Sequence, residues 1–146
     1  MIVEDIYKNY IFPNLKEYVE SHSIYNPKVT KRQVLDSKVF PIVTVKLLPV
    51  RNKYNNLSYG EETYTFGIDV NIYAQDVVST SKISKKTVCD EVTSHVIDYF
   101  KNNYHVGLKV EYDLVNIDAD VHKNSVRVSA KLDTKYGDNN LVIYPR

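Results

Sequence analysis

The segment from Glu61 to Asp76, EETYTFGIDVNIYAQD, limits the possible folds more than any other stretch of this chain. Tyr64, Phe66, Ile68, Val70 and Ile72 are apolar, while the intervening Thr63, Thr65, Gly67, Asp69 and Asn71 are small or polar. Side chains along a strand alternate between faces, so this pattern predicts a strand with one face on a core and the other towards water or a neighbouring subunit. A parallel sheet covered on both faces would read as a continuous run of Val, Ile and Leu, so the expected sheet is antiparallel. The sequence has 146 residues, 43% of them hydrophobic and 25% charged, enough for one ordinary domain over 1–146 without disulfides or metals.

Before this strand, Val3, Ile6, Tyr7, Tyr10, Ile11, Leu15, Tyr18 and Val19 recur at helical spacing between Val3 and His22, with Glu4 and Asp5 favouring the helix dipole. Pro13 interrupts this pattern at a cost of about 3 kcal/mol for a helix interior. The helix should therefore kink near Asn9 or restart at Pro13, and the uninterrupted apolar stripe favours a kink. Residues 23–37, including Asn26-Pro27, show no period and read as a loop or irregular segment. Lys38 to Val50 is rich in β-branched residues and predicts an edge or end-frayed strand centred on Ile42 to Leu48, with Pro41 and Pro49 near its ends. Arg51 to Gly60, RNKYNNLSYG, reads as a connection longer than a tight turn. Its Tyr54, Leu57 and Tyr59 make it either a loose hairpin tip or an arm that reaches a partner.

A second helix is predicted from Ser84 to Tyr104, with Val88, Val92, His95, Val96, Tyr99 and Phe100 on one face. Ser81 or Ser84 can cap its start, and Gly107 follows its end where a left-handed residue is wanted. Leu108, Val110, Tyr112 and Leu114 then alternate as a third strand, with a slip at Val115 that makes Ile117 the next apolar position, as a β-bulge would. His122-Lys123-Asn124 reads as a turn, followed by Val126, Val128, Ala130 and Leu132 as a fourth strand. After a turn at Tyr136 to Asn139, Leu141 to Tyr144 either add a short strand before Pro145 or extend onto a neighbour. The order helix, two strands, helix, two strands gives the expected fold class: α+β, two layers, an antiparallel sheet of four to five strands with two helices on one face.

The search for chemistry yields little. The formal charge of +1 supplies no long-range field for nucleic acid or anionic lipid, and no apolar run is long enough to cross a bilayer. The N-terminus is acidic where a signal peptide would be basic, and the single Cys89 predicts a reduced, partly buried thiol and folding in the cytosol. No Gly-rich phosphate loop, GxSxG, HExxH or CxxC is present. Asp118, Asp120 and His122 alternate as a strand-borne metal site would, but they precede a turn, where Asp is common for backbone reasons. His95 lacks a recognisable nucleophile and orienting acid, and the clusters Lys82, Lys85, Lys86 and Lys28, Lys31, Arg32 read as solvated surface. The expectation is accordingly no catalytic, cofactor-binding or metal residues. The 13 Tyr, with no Trp and 4 Phe, suit surfaces that become interfaces, although an AT-rich coding bias gives the same excess.

An N-terminal helix, Phe40-Pro41-Ile42-Val43-Thr44-Val45, a long loop, the run Glu62 to Ala74, a helix and a closing strand with Val126-Arg127-Val128 follow one another here. From Val3 to Tyr144 this order resembles the tail terminator and tail-completion proteins of long-tailed bacteriophages. The resemblance implies a non-catalytic virion protein, assembled in the host cytoplasm, that forms a homo-oligomeric ring, usually a hexamer, at the head-proximal end of the tail. Such a ring caps the tail tube and joins it to the head connector. The implied partners are further copies of itself, the tail tube protein and head-tail connector proteins, with no membrane and no sequence-specific nucleic acid. Under this resemblance Tyr54, Leu57, Tyr59, Leu141, Ile143 and Tyr144 become the candidates for subunit or partner contacts. A head-completion or connector-ring protein is the alternative within the class. A small ligand- or nucleic-acid-binding module using Lys109, Glu111, Arg127 and Lys131, or a metal-dependent enzyme, are alternatives outside it.

Overall fold

The computed structural model describes residues 2–33, 39–56, 61–115, 120–133 and 143–144. Its helical layer starts with α1 (Ile2–Ile6), a π turn (Tyr7–Ile11) and α2 (Phe12–His22), and ends with α3 (Lys85–Asn103). The strands are β1 (Lys28–Thr30), β2 (Ile42–Leu47), β3 (Arg51–Asn56), β4 (Glu61–Ala74), β5 (Val77–Val78), β6 (Lys82–Ile83), β7 (Gly107–Leu114), β8 (His122–Asp133) and β9 (Ile143–Tyr144). The main sheet runs β1-β2-β4-β8-β7, with β3 also on β4 and β9 also on β8, while β5 and β6 form a small separate ribbon.

The fold is α+β, with a mixed sheet where a purely antiparallel one was expected. The difference lies in β1, which pairs parallel with β2 through Lys28↔Ile42, Val29↔Val43 and Thr30↔Thr44, inside the segment that carries no sequence period. Three residues are too few to show alternation, so only the partner reveals the strand. Its exposed edge is closed by α2: the Val29 carbonyl accepts from Lys16 Nζ at 3.0 Å, and the Val29 N–H donates to Glu20 Oε2 at 3.0 Å. Beyond β1, the Val45 carbonyl of β2 accepts from the Tyr7 hydroxyl at 3.4 Å and from Gln33 Nε2 at 3.0 Å. Side chains thus occupy backbone positions that a further strand would use.

The helix kinks through a π turn placed just before Pro13. Phe12 N–H donates to the Tyr7 carbonyl five residues back, which takes the turn preceding Pro13 out of the α register. Proline has no N–H and its ring crowds that turn, and exposed Lys8 and Asn9 leave an orphaned carbonyl accessible to water. The wider turn also serves the buried stripe. Val3, Tyr7, Ile11, Leu15 and Val19 are spaced by four, which in a pure α-helix drifts by about 40° per step, and the π turn recovers part of that drift.

The alternating face of β4 goes into the core as the pattern demands. Phe66, Ile68, Val70, Ile72 and Ala74 are buried, joined by Val126, Val128, Ala130 and Leu132 of β8 and by Val88, Val92, Val96, Tyr99 and Phe100 of α3. Tyr64 is partly buried at the margin of the same core. On the other face, Leu48 lies over Gly67, where a Cβ would stand 2.9 Å from Leu48 Cδ1 and 3.3 Å from the Val128 carbonyl oxygen. Glycine leaves the space that Leu48 occupies. Leu48 N–H donates to the Gly67 carbonyl at 2.9 Å, and Pro49 then falls in the gap between β2 and β3.

The second helix has the predicted bounds. Ser84 caps it, accepting from Thr87 N–H at 3.3 Å, and Asp76 adds a second acceptor for the Lys85 N–H at 2.7 Å. Its C-terminal residue Tyr104 is extended, and Gly107 opens β7 opposite Ser129 instead of serving as a left-handed cap. The aromatic stack at this end supplies the closure, with Tyr99 packed on Phe100 and on Tyr104.

Two other turn assignments change. His122, Lys123 and Asn124 are not a turn but the start of β8, opposite Ala74, Tyr73 and Ile72. The β7 irregularity falls between Glu111 and Leu114, before Val115, with Asp113 left-handed at φ 58°; Ile117 lies outside the described residues. Asn124 explains both. Fully buried, it accepts the Asp113 N–H at 3.1 Å and donates from Nδ2 to Asp90 Oδ1 at 2.9 Å and Thr93 Oγ1 at 3.0 Å. One amide ties the bulge to the helix. Replacing it with Leu leaves the Asp113 N–H without its acceptor, and we expect Asn124→Leu to lower stability by about 3 kcal/mol and Tm by roughly 10 °C. Urea and thermal unfolding measure this, and an unchanged midpoint would remove the assigned role.

Candidate assembly surface

β4 and β8 are both longer than their neighbours, and their common register determines what gathers at each end. Thr63↔Asp133, Tyr64↔Leu132 and Thr65↔Lys131 form the rows beyond Phe66, a fully buried position of β4. On one side β3 adds Tyr54 opposite Thr63, Asn52 opposite Tyr64 and Arg51 opposite Thr65. On the other, β9 adds Ile143 opposite Leu132 and Tyr144 opposite Lys131. Rows such as Asn52-Tyr64-Leu132-Ile143 therefore cross four strands, and segments far apart in sequence meet at one end of the sheet.

This corrects the reading of Arg51 to Gly60 as one long connection. Its first six residues are β3, because the N-terminal part of β4 needs a partner for its backbone groups and the chain returning from β2 is in line to provide one. RNKYNN has no alternation and contains turn-prone Asn, so nothing local marks it as a strand. Of the six contact candidates, Tyr54, Ile143 and Tyr144 are brought together in these rows, and Leu57, Tyr59 and Leu141 lie outside the described residues. The expected strand near Leu141 to Tyr144 is present as β9, on β8 of the same chain.

Other chemistry-bearing residues are held in local pairs. Asp118 lies outside the described residues, and Asp120 is exposed. His122 Nε2 is buried 3.1 Å from Asp113 Oδ1 but is aligned too poorly for a hydrogen bond. Lys86 Nζ stands 3.3 Å from the same Asp113 oxygen and 3.1 Å from Asp90, which sets an ammonium where a cation would have to compete. These contacts hold Lys86 in its charged form, with the Asp90 hydrogen bond the foremost cause. Among the described residues no group of three His, Cys, Asp or Glu is arranged to hold a metal ion. His95 Nε2 lies 2.7 Å from Glu91, whose other oxygen accepts from Ser23 at 2.7 Å, so this histidine helps join α3 to the end of α2.

The sheet face opposite the helices carries a bidentate pair, Arg127 Nε to Asp69 Oδ1 at 2.7 Å and Nη2 to Oδ2 at 3.0 Å, and Lys109 is 3.2 Å from Glu111. Lys82 is 3.5 Å from Asp76, and Lys31 lies 4.7 Å from the centroid of the Phe12 ring. No helix among the described residues is long and apolar enough to cross a membrane. No protein-family model and no curated protein matches the chain.

Buried protons produce a distinct solution behaviour. Burial pushes the Cys89 thiol from 9.0 up to about 12 and the Tyr7 phenol from 10.0 up to about 12, and it also raises Tyr99 and Tyr104. The folded protein keeps these protons to higher pH than the unfolded chain does, so alkali favours unfolding. Stability from this source is complete below pH 9 and is lost as the pH rises towards about 12. We expect circular dichroism to report cooperative unfolding within that window. Tyr7→Phe should flatten the fall between pH 10 and 12, and Cys89 should resist thiol reagents at about pH 8 until denaturant is added. Rapid labelling of the native protein would contradict the buried thiol.

Proposed function

We propose that this protein is a structural virion component of a long-tailed bacteriophage, a tail terminator that assembles as a ring, most simply a hexamer, on the end of the tail tube and joins it to the head connector. The observation that carries this reading is the convergence of β3 and β9 on one end of the β4–β8 pair. Two segments picked from sequence as partner-contacting, nearly ninety residues apart, flank the β4–β8 pair on either side at the same end of the sheet. A ring needs each subunit to present a surface to the next, and one sheet end gathers Tyr54, Ile143 and Tyr144 in adjacent rows of the β4–β8 ladder. The α+β architecture, with helices against the sheet face that carries the core, agrees with the resemblance in element order.

The role asks for no reaction, and the polar pairs described above have evident structural uses. Asp69 with Arg127 bridges β4 and β8, and Glu91 with Ser23 and His95 bridges the helices. The terminator reading predicts annular particles with a central hole in electron micrographs of the purified protein mixed with tail tube protein. It also predicts that Tyr54→Asp and Tyr144→Asp abolish the rings while leaving the melting curve within about 1 kcal/mol of the parent. Persistent monomers that do not bind tubes, measured by light scattering at several concentrations, would refute it.

A further inference from the structure

The two borders of the sheet are finished differently. At β1 and β2, Lys16, Glu20, Tyr7 and Gln33 occupy outward-facing backbone groups. At the other border, β7 pairs with β8 alone, and among the described residues no side chain is bonded to the backbone of Gly107 to Tyr112. An open edge of this length is a template for another strand. It contains no proline, and its charges alternate in sign on one face: Lys109 and Glu111, with side chains 75% and 45% exposed.

We propose that the edge of β7 pairs antiparallel with the same edge of a second copy, about a two-fold axis through Val110. In that register Lys109 stands opposite the partner's Glu111 and Glu111 opposite the partner's Lys109, so each dimer gains two opposite-charge cross-strand pairs. Neighbouring registers are worse. A shift of the axis to Lys109 sets two ammonium groups face to face, a shift to Glu111 does the same with two carboxylates, and a slip of one residue sets the charged face against the half-buried Leu108 and Val110. The bulge after Glu111 ends the ladder, which limits the contact to a short segment centred on Val110.

Such a contact uses the same patch on both copies and so closes at two. It is separate from the β3 and β9 end and describes the free protein in the absence of any phage component. Sedimentation velocity over a dilution series tests it with the full chain, Lys109→Glu, Glu111→Lys and the exchanged double variant Lys109→Glu/Glu111→Lys. Wild type should show a monomer–dimer equilibrium, each single variant should weaken dimerisation about tenfold or more, and the double variant should recover most of the loss. Thermal melts confirm that the variants are folded, as expected for exposed side chains. A wild type that is monomeric throughout, or single variants that associate like the wild type, would overturn the pairing. Because the readout is the dimer constant, it stands or falls whether or not rings form on a tail tube.

Discussion

The pairing of β4 with β8 is the constraint on which the other elements depend. It runs unbroken from Thr63↔Asp133 to Ala74↔His122, so the chain before α3 and the chain after it are joined along the full length of a strand. Every hydrophobic contact of α3 with the sheet presumes this register, since a slip of one residue would turn Phe66, Ile68, Val70 and Ile72 to the polar face. It also decides where the shorter strands can lie. β2 and β3 have only the free side of β4, and β7 and β9 only the free side of β8, so their places follow from the two long strands.

The parts of the fold legible in sequence are those with a long period. The β4 alternation, the stripe of the first helix, the bounds of α3 and the inner residues of β8 all repeat often enough for pattern to outweigh local propensity. What stayed hidden is short or long-range in cause. β1 has three residues, β3 has polar composition, and both are strands because a neighbour presents unpaired backbone groups. Asn124 shows a different failure. HKN has the composition of a turn, yet the amide is buried because Asp90 and Thr93 of α3 and the Asp113 N–H of β7 supply its partners. For the candidate contacts, sequence could suggest Tyr54 and Tyr144 singly but could not bring them to the same end of a sheet.

The tyrosines divide in a way composition could not anticipate. Tyr7 and Tyr99 are buried, with hydroxyls 3.4 Å from the Val45 and Ile11 carbonyls, and the Tyr99 and Tyr104 hydroxyls meet at 2.8 Å. Tyr18 stacks on His22 and tilts against Tyr99 between the helices. Part of the aromatic excess therefore serves as internal mortar, where a ring fills volume and a hydroxyl satisfies a carbonyl. Tyr10 and Tyr112, by contrast, stand well out in solvent.

The side chains that seal β1 have a meaning for chain-to-chain growth. A sheet able to accept strands at both borders could propagate indefinitely, molecule after molecule, into a fibril. With Lys16 and Glu20 spending their polar ends on Val29, the β1 edge is shut from within. Strand addition is thereby blocked at that edge.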